Sequence, residues 1–377
     1  MKLLFINGSR GEWGYIRPVI NKCIEFGIDY SICATNMLLL PNYGTLVEEI
    51  KEAGFQVDDE IYMSLEGNNH YTMLKSLGIF LMSFSDILSR QRPDWVILAG
   101  DRGEQLMGAI ACAYTYTPVA HIQAGERSGN IDGTTRHALG KFAHLHFASN
   151  QDAAERLLKL GEQPFRVCNV GAPQLDDIKK DFVSNIDYLS KIFKISKNEP
   201  FLLVALHPVT EEMHLAEEQI KILVKVLNYF NLKKIWILPN NDAGSETIRK
   251  TLLSYRCADI QIYDNITRSE YLGLLQNCKA IIGNSSSGLL EAPTFNTPAV
   301  NIGRRQNNRI QGKNVINTDF AVDICIKAIE KAISPEFHKT IQGTNNPYGD
   351  GKSSERILKI LQNTPINNTL LTKELMY

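Results

Sequence analysis

Short, unbroken apolar runs recur along the chain, each followed by a polar or glycine-rich turn and then by a stretch whose apolar residues fall three and four apart. The runs KLLFI, DYSICAT, VILAG, PVAHI, HLHFA and FRVCNVG, and later FLLVAL, KKIWILP, IQIY, KAIIG and PAVNI, read as strands buried on both faces. The stretches between them read as helices over about 15–26, 43–53, 71–90, 105–116, 134–143, 151–160, 211–230, 244–256, 268–277 and 286–292. Such alternation predicts parallel sheets with helices on both faces. The rhythm pauses over the charged segment 176–197 and then restarts. The expected architecture is α/β, with two Rossmann-like doubly wound domains facing a central cleft, over 1–172 and 173–377, and a last helix that packs back on the first.

The polar turns carry the chemistry. Two of them, Asp101-Arg102-Gly103-Glu104 and the loop from Gln123 through Glu126 to Asp132, follow hydrophobic strands. In a parallel sheet both open at the carboxyl ends of strands, where ligands of open α/β folds are held. Asp101, Glu104, Glu126 and Asp132 therefore gather at one edge beside Arg102, Arg127, Arg136 and His137. That is acid/base equipment next to anion-binding equipment, and it points to an enzyme acting on a negatively charged substrate. Simpler readings stand beside this one. Asp101 suits an Asx turn or a helix cap, Glu104 suits the positive end of a helix dipole, and His121 suits a satisfied core position. His144 and His146 alternate on one strand, but no cysteine or carboxylate lies at ligand spacing nearby, so no metal is expected.

Three further loops belong to this picture. Glycines 8, 11 and 14 surround Arg10 between the first strand and a helix, and such glycines let backbone N–H groups approach an anion. His207-Pro208-Val209-Thr210 follows the first strand of the second half. Ser285, Ser286, Ser287 and Gly288 follow a later strand and open a helix, a pattern suited to a diphosphate, with Glu291 a turn farther on for ribose hydroxyls. Arg304, Arg305 and Arg309 follow the strand PAVNI. His70 has no partner in sequence and is expected in a loop over the sheet edge.

Composition narrows the class without adding chemistry. A chain of 377 residues with 44% hydrophobic and 21% charged residues is globular and longer than one core usually needs. A formal net charge of -1 argues against nucleic-acid or membrane-surface binding. No continuous apolar run approaches the roughly 18 to 20 residues of a membrane span, and the start is too short for a secretory segment. The seven cysteines are odd in number and widely spaced, which fits reduced core residues of a cytoplasmic protein.

Taken together, the motifs resemble the UDP-N-acetylglucosamine 2-epimerases, and within them the hydrolysing branch of sialic and legionaminic acid synthesis. The pieces that carry the resemblance are GSRGEWGYIRP (8–18), GDRGE (100–104), HIQAGE (121–126), IDGTTRHALGKFAHLHF (131–147), HPVT (207–210), GNSSSGLLEAP (283–293) and NIGRRQ (301–306), in order along nearly the whole chain. The resemblance implies a GT-B arrangement, no cofactor, a homodimer or homotetramer, and elimination of UDP to a glycal followed by hydration. It implies catalysis by Asp101, Glu126 and Asp132 with Arg136. It further implies diphosphate and uridine contacts from Arg10, His207, Ser286, Ser287 and Glu291, and Tyr15, Arg102, Glu104, Gln123, Ser285, Gly288 and Arg305 in the same loops are further candidate substrate contacts. Gln123 stands where members that only epimerise carry Glu. Tyr15 replaces a frequent lysine and, with Trp13, suits the C6 methyl and C4 acetamide of UDP-N,N'-diacetylbacillosamine, with UDP-N-acetylglucosamine the other substrate. GRRQ replaces the more usual GDRQ, so Arg304 is not carried over. A GT-B glycosyltransferase and a non-catalytic nucleotide-sugar sensor are the competing readings. Release of nucleotide without an acceptor separates the first, and turnover the second.

Overall fold

The computed structural model describes residues 1–41, 46–66, 70–128, 131–178, 182–239, 244–255 and 259–376. The chain divides into two compact units, Met1–Arg127 with Ile131–Asp177 and Tyr348–Tyr377, and Ser128–Asn130 with Ile178–Pro347.

The first unit holds a sheet of β1 (Lys2–Asn7), β2 (Asp29–Thr35), β3 (Asp59–Ile61), β4 (Trp95–Ala99), β5 (Val119–Ala124), β6 (Leu145–Ala148) and β7 (Val167–Asn169). Its order is β3-β2-β1-β4-β5-β6-β7, with all pairings parallel. The central strands β1 and β4 are apolar nearly throughout because both their faces are covered. Leu3 and Phe5 join one core with Ile16, Val19 and Ile20 of helix Arg10–Phe26, while Leu4 and Ile6 join another with Phe80 and Phe84 of helix His70–Gln91. The second unit repeats the plan with β8 (Phe201–Ala205), β9 (Lys233–Ile237), β10 (Ile260–Tyr263), β11 (Ala280–Gly283), β12 (Ala299–Ile302) and β13 (Val315–Thr318), in the parallel order β10-β9-β8-β11-β12-β13. In both sheets the strand order reverses beside the first strand of the unit, at β1/β4 and β8/β11, which is where such folds bind ligands.

Several local expectations change. Helix Arg10–Phe26 starts before Tyr15, because Ser9 caps it by accepting the Glu12 N–H at 3.3 Å. Gly11 and Gly14 therefore lie inside a helix, and Pro18 sits in its interior. The glycine pattern is not an open phosphate loop. The expected helix 211–230 breaks into a 3-10 stretch, Thr210–Leu215, and helix Ala216–Asn228. His70 opens helix His70–Gln91, while 67–69 lie outside the described residues. That helix is also the one described helix long and apolar enough to cross a membrane, although the sequence holds no unbroken run. Polar residues interrupt it, and Phe80, Phe84, Ile87 and Leu88 turn it onto the sheet. Six described cysteines are free, and five of these are buried; Cys257 lies outside the described residues.

After unit two the chain returns to unit one, and buried polar anchors explain why. The Asp176 carboxylate accepts the N–H groups of Ser353 at 3.0 Å and Ser354 at 2.6 Å, capping helix Ser353–Asn363. Arg166, fully buried, donates to the carbonyls of Leu370 at 2.7 Å, Thr369 at 2.9 Å and Thr372 at 3.0 Å. Lys373 reaches Glu162 at 2.7 Å and the carbonyls of Gly140 and Ala143. Burial would raise the Glu162 carboxyl, but hydrogen bonds and charge from His146 and Lys373 outweigh it and hold the group at about 2. His146 is itself held low by burial.

A prediction follows from the sign of that shift. The stability due to Glu162 is complete above its ordinary value of 4.5 and is lost as pH falls through about 2. It amounts to on the order of 3 kcal/mol. Urea denaturation across that range should show a shallower acid limb for Glu162→Gln than for the parent.

Candidate active site

In the first unit the site residues come from the carboxyl ends of β1, β4 and β5 and from two helix starts. β1 runs into Gly8, whose N–H donates to Glu12 Oε2 at 2.5 Å. Burial and the neighbouring Glu104 carboxylate push the Glu12 carboxyl well above its ordinary range. A Cβ on Gly8 would lie 2.3 Å from Glu104 Oε1, so any larger residue would displace that carboxylate. Glu104 is buried and accepts from Asn36 Nδ2 at 2.9 Å, with Arg102 Nε at 3.4 Å. It thus serves the helix start and its neighbours. Arg10 occupies the first position of helix Arg10–Phe26 and is half-buried.

After β4, Gly100 turns at φ 81° with the Tyr15 ring against it; a Cβ there would sit 3.4 Å from Tyr15 Cε2. Gly100 O accepts from His121 Nε2 at 2.7 Å. Burial holds that imidazole at about 3, so it is neutral, and the carbonyl requires the proton on Nε2. His121 is therefore a core histidine that fixes the turn into Asp101. Asp101 in turn accepts from Arg136 Nη2. Arg136 is buried, and its Nε and Nη1 find no hydrogen-bond partner among the described residues. Asp132 stands one turn before it on helix Ile131–Phe142, on the same face.

The end of β5 is irregular, with a register shift between Ile122 and Ala124. Gln123 takes φ 63°, a left-handed conformation that costs a non-glycine residue of order 1 kcal/mol. Its buried side chain donates to Gln174 Oε1 at 3.0 Å. Gly125 follows at φ 75°, and a Cβ there would lie 2.4 Å from Ala153 O. The pinched backbone delivers Glu126 to Ser149 and Asn150, both of which donate to its Oε1. Asn150 also caps helix Gln151–Lys159, accepting the Ala153 N–H at 2.9 Å.

In the second unit, Ser285 and Ser286 are half-exposed while Ser287 and Gly288 are buried. Ser285 Oγ accepts from Ser287 N at 3.4 Å, and the side chains of Ser285 and Ser287 lie within hydrogen-bonding reach of Tyr271. The helix they open, Ser287–Leu290, is far shorter than the one expected over 286–292. Too little aligned dipole results to hold an anion, so hydroxyl groups would have to supply the binding. Glu291 is paired with Arg268 Nη1 at 2.9 Å, and a half-buried Tyr271, pushed up to about 12 by desolvation and by Glu291, lies close by. His207 begins the loop after β8, and Arg305 Nη1 donates to Asn284 O at 3.3 Å. Arg304 is engaged with Glu212. His144 Nδ1 accepts from Val119 N at 3.0 Å, and no cluster of metal-ligating residues occurs among the described residues.

A family model described as UDP-N-acetylglucosamine 2-epimerase matches residues 23–362. The chain belongs to that family. It is 35% identical over 374 residues to the UDP-N,N'-diacetylbacillosamine 2-epimerase (hydrolyzing) of Legionella pneumophila, covering 99% of this chain and 98% of the relative. It is 33% identical over 381 residues to the GDP/UDP-N,N'-diacetylbacillosamine 2-epimerase (hydrolyzing) of Campylobacter jejuni, again covering 99% and 98%. The fold matches the crystal structure of UDP-GlcNAc 2-epimerase from Neisseria meningitidis bound to UDP-GlcNAc, with a TM-score of 0.83, 20% identity, and coverage of 97% and 100%. The family and the pair of Rossmann-like α/β domains expected from the motifs are borne out, as is an enzyme of the hydrolysing nucleotide-sugar 2-epimerase type. Sequence reasoning missed several supports of the candidate site residues, namely Glu12, Ser149, Asn150, Gln174, Arg268 and Asn284. Asn150 and Glu12 had local signals, the first as a helix cap before a helical pattern and the second as the last residue of a Ser-x-x-Glu helix start.

The pinch at Gly125 generates a prediction. Gly125→Ala should lose at least about 2 kcal/mol in urea denaturation, since both dihedral and backbone contact oppose it. Gly343→Ala, at φ 67° with nothing within 4 Å, isolates the dihedral. Its loss should be about 1 kcal/mol.

Proposed function

We propose that this 2-epimerase converts UDP-N,N'-diacetylbacillosamine to the free 2-epimeric, manno-type sugar and UDP, with UDP-N-acetylglucosamine the alternative substrate. The observation that supports the chemistry is the Asp101–Arg136 pair, a buried guanidinium with one arm on a carboxylate and two N–H groups left over. The sugar is proposed from the names of the Legionella and Campylobacter relatives and from Tyr15, whose aromatic ring suits a C6 methyl; the Trp13 ring packs against Phe55 instead.

The proton on C2, alpha to nitrogen, is weakly acidic, so removing it requires an oriented base and assistance to the departing diphosphate. A carboxylate takes the C2 proton, the electron pair forms the C1–C2 double bond, and the C1–O bond breaks to release UDP. Water then adds across the glycal: its oxygen goes to C1 and a proton goes to C2 from the opposite face. The product is a reducing sugar inverted at C2. Asp101, Glu126 and Asp132 divide these proton transfers, and Arg136 and Arg10 meet the negative charge on the leaving group. The second unit holds the nucleotide through His207, Ser285, Ser286, Ser287, Gly288, Arg305 and Glu291. Tyr15, Arg102, Glu104 and Gln123 shape the sugar side, with Gln123 adding no further charge to the acids. No cofactor is needed for this sequence of steps.

Asp101→Asn, Glu126→Gln and Asp132→Asn should each lower turnover at least about 100-fold, while calorimetric UDP affinity stays within a few-fold of the parent. Ser287→Ala and Glu291→Gln should do the reverse. In deuterated water the parent should release UDP without an acceptor and place one deuterium at C2, read by NMR with both UDP-sugars offered. Nucleotide release that depends on an acceptor would establish a glycosyltransferase, and binding without turnover a sensor.

The protein is further proposed to form a homodimer or homotetramer. Tyr71, Leu74 and Met82 are exposed along one face of helix His70–Gln91, an apolar stripe suited to a second copy. Leu74→Glu combined with Met82→Glu should reduce the solution mass by light scattering; an unchanged oligomer would remove that face from consideration.

A further inference from the structure

At the reversal point of the second sheet, β8 and β11 part company. Their last register pair is Ala205 with Gly283, and beyond it only Asn284 N still reaches back, to Ala205 O at 3.1 Å. His207, two residues on, would have neither backbone group paired by the strand. The side chain of Asn284 supplies both partners. Its Oδ1 accepts the His207 N–H at 2.7 Å, and its Nδ2 donates to His207 O at 2.8 Å. A carboxamide thus stands in for one more residue of ladder. Its own backbone carbonyl is taken by Gln306 Nε2 at 2.9 Å and Arg305 Nη1 at 3.3 Å, from the loop after β12. Asn284 is buried, with 2% of its surface exposed, so unpaired groups here would be costly.

We propose that Asn284 is a positioning residue for nucleotide binding: it locks the His207 loop to the Ser285–Ser287 loop so that both meet one diphosphate in a fixed spacing. It touches no ligand itself. The proposal rests on the reading that these two loops bind the nucleotide. The chemistry demands an amide in particular. Aspartate can accept from His207 N–H, but when ionised it faces the His207 carbonyl with no donor and two oxygens repel. Protonated aspartate regains a donor. Alanine offers neither bond at any pH.

The test is UDP affinity by calorimetry for the parent, Asn284→Asp and Asn284→Ala, each ratio taken against the parent at the same pH so that titration of UDP cancels. At about pH 8 both variants should bind roughly 10-fold or more weakly, as expected for a lost buried hydrogen bond. Toward about pH 5.5 Asn284→Asp should recover while Asn284→Ala does not, because burial raises the introduced carboxyl. General loosening of the fold would not produce recovery in acid. Equal affinity in all three proteins overturns the clamp, and so does a weakening of both variants that ignores pH. A parent that fails to bind UDP overturns the nucleotide reading instead. If neither variant folds, Gln306→Ala decides: it leaves both His207 bonds in place but frees the Asn284 carbonyl. A several-fold weaker UDP affinity supports the lock, and an unchanged one overturns it.

Discussion

An open parallel sheet can hold a ligand only where neighbouring strands send their connections to opposite faces, and there the strands separate and leave backbone groups without ladder partners. The whole arrangement depends on how those groups are satisfied. In the first unit the β1–β4 register ends at Phe5 with Ile97, and beyond it Gln105 bridges the gap, donating to Ile6 O and accepting from Ala99 N, both at 3.2 Å. In the second unit Asn284 bridges β8 and β11. Each sheet therefore uses one buried carboxamide at its reversal point. The donor and acceptor of an amide match the peptide group they replace, and unlike those of a carboxyl group they are both present at any pH.

Once the strand ends are fixed, three carboxylates of the first unit are each held by partners of their own. Asp101 has Arg136, Glu126 has Ser149 and Asn150, and Glu104 has Asn36 and Arg102. Like charges at one edge would otherwise repel and burial would neutralise them, as the raised Glu12 illustrates. The backbone contributes by departing from ordinary strand geometry at Gln123 and Gly125, which turns Glu126 inward. Strain of this kind persists only where surrounding contacts over-determine it, and here Gln174, Arg156 and Ala153 do so.

The return of residues 348–377 to the first unit rests on the same logic of buried polar satisfaction. Asp176 caps one helix, Arg166 caps the last turn, and Lys373 closes on Glu162. These anchors join segments nearly two hundred or more positions apart in the chain, so the last stretch is part of the first unit's core.

What the sequence determined by itself was the alternation of buried strand and amphipathic helix, the polar turns that carry acids and serines, and, through motifs in order, the family. Those signals are local: a strand buried on both faces must be apolar throughout, and a loop at a strand end must be polar. Even the unread elements after residue 309 had such a signal, since Cys325, Ala328, Ile329 and Ala332 keep helical spacing on the buried face of helix Val322–Ile333. Only the tertiary structure decided that Glu104 is spent on Asn36 and that Asn284 and Gln105 bridge diverging strands. Each of these depends on a partner from another part of the chain, and hydrogen bonding between distant segments leaves no periodicity in the order of residues.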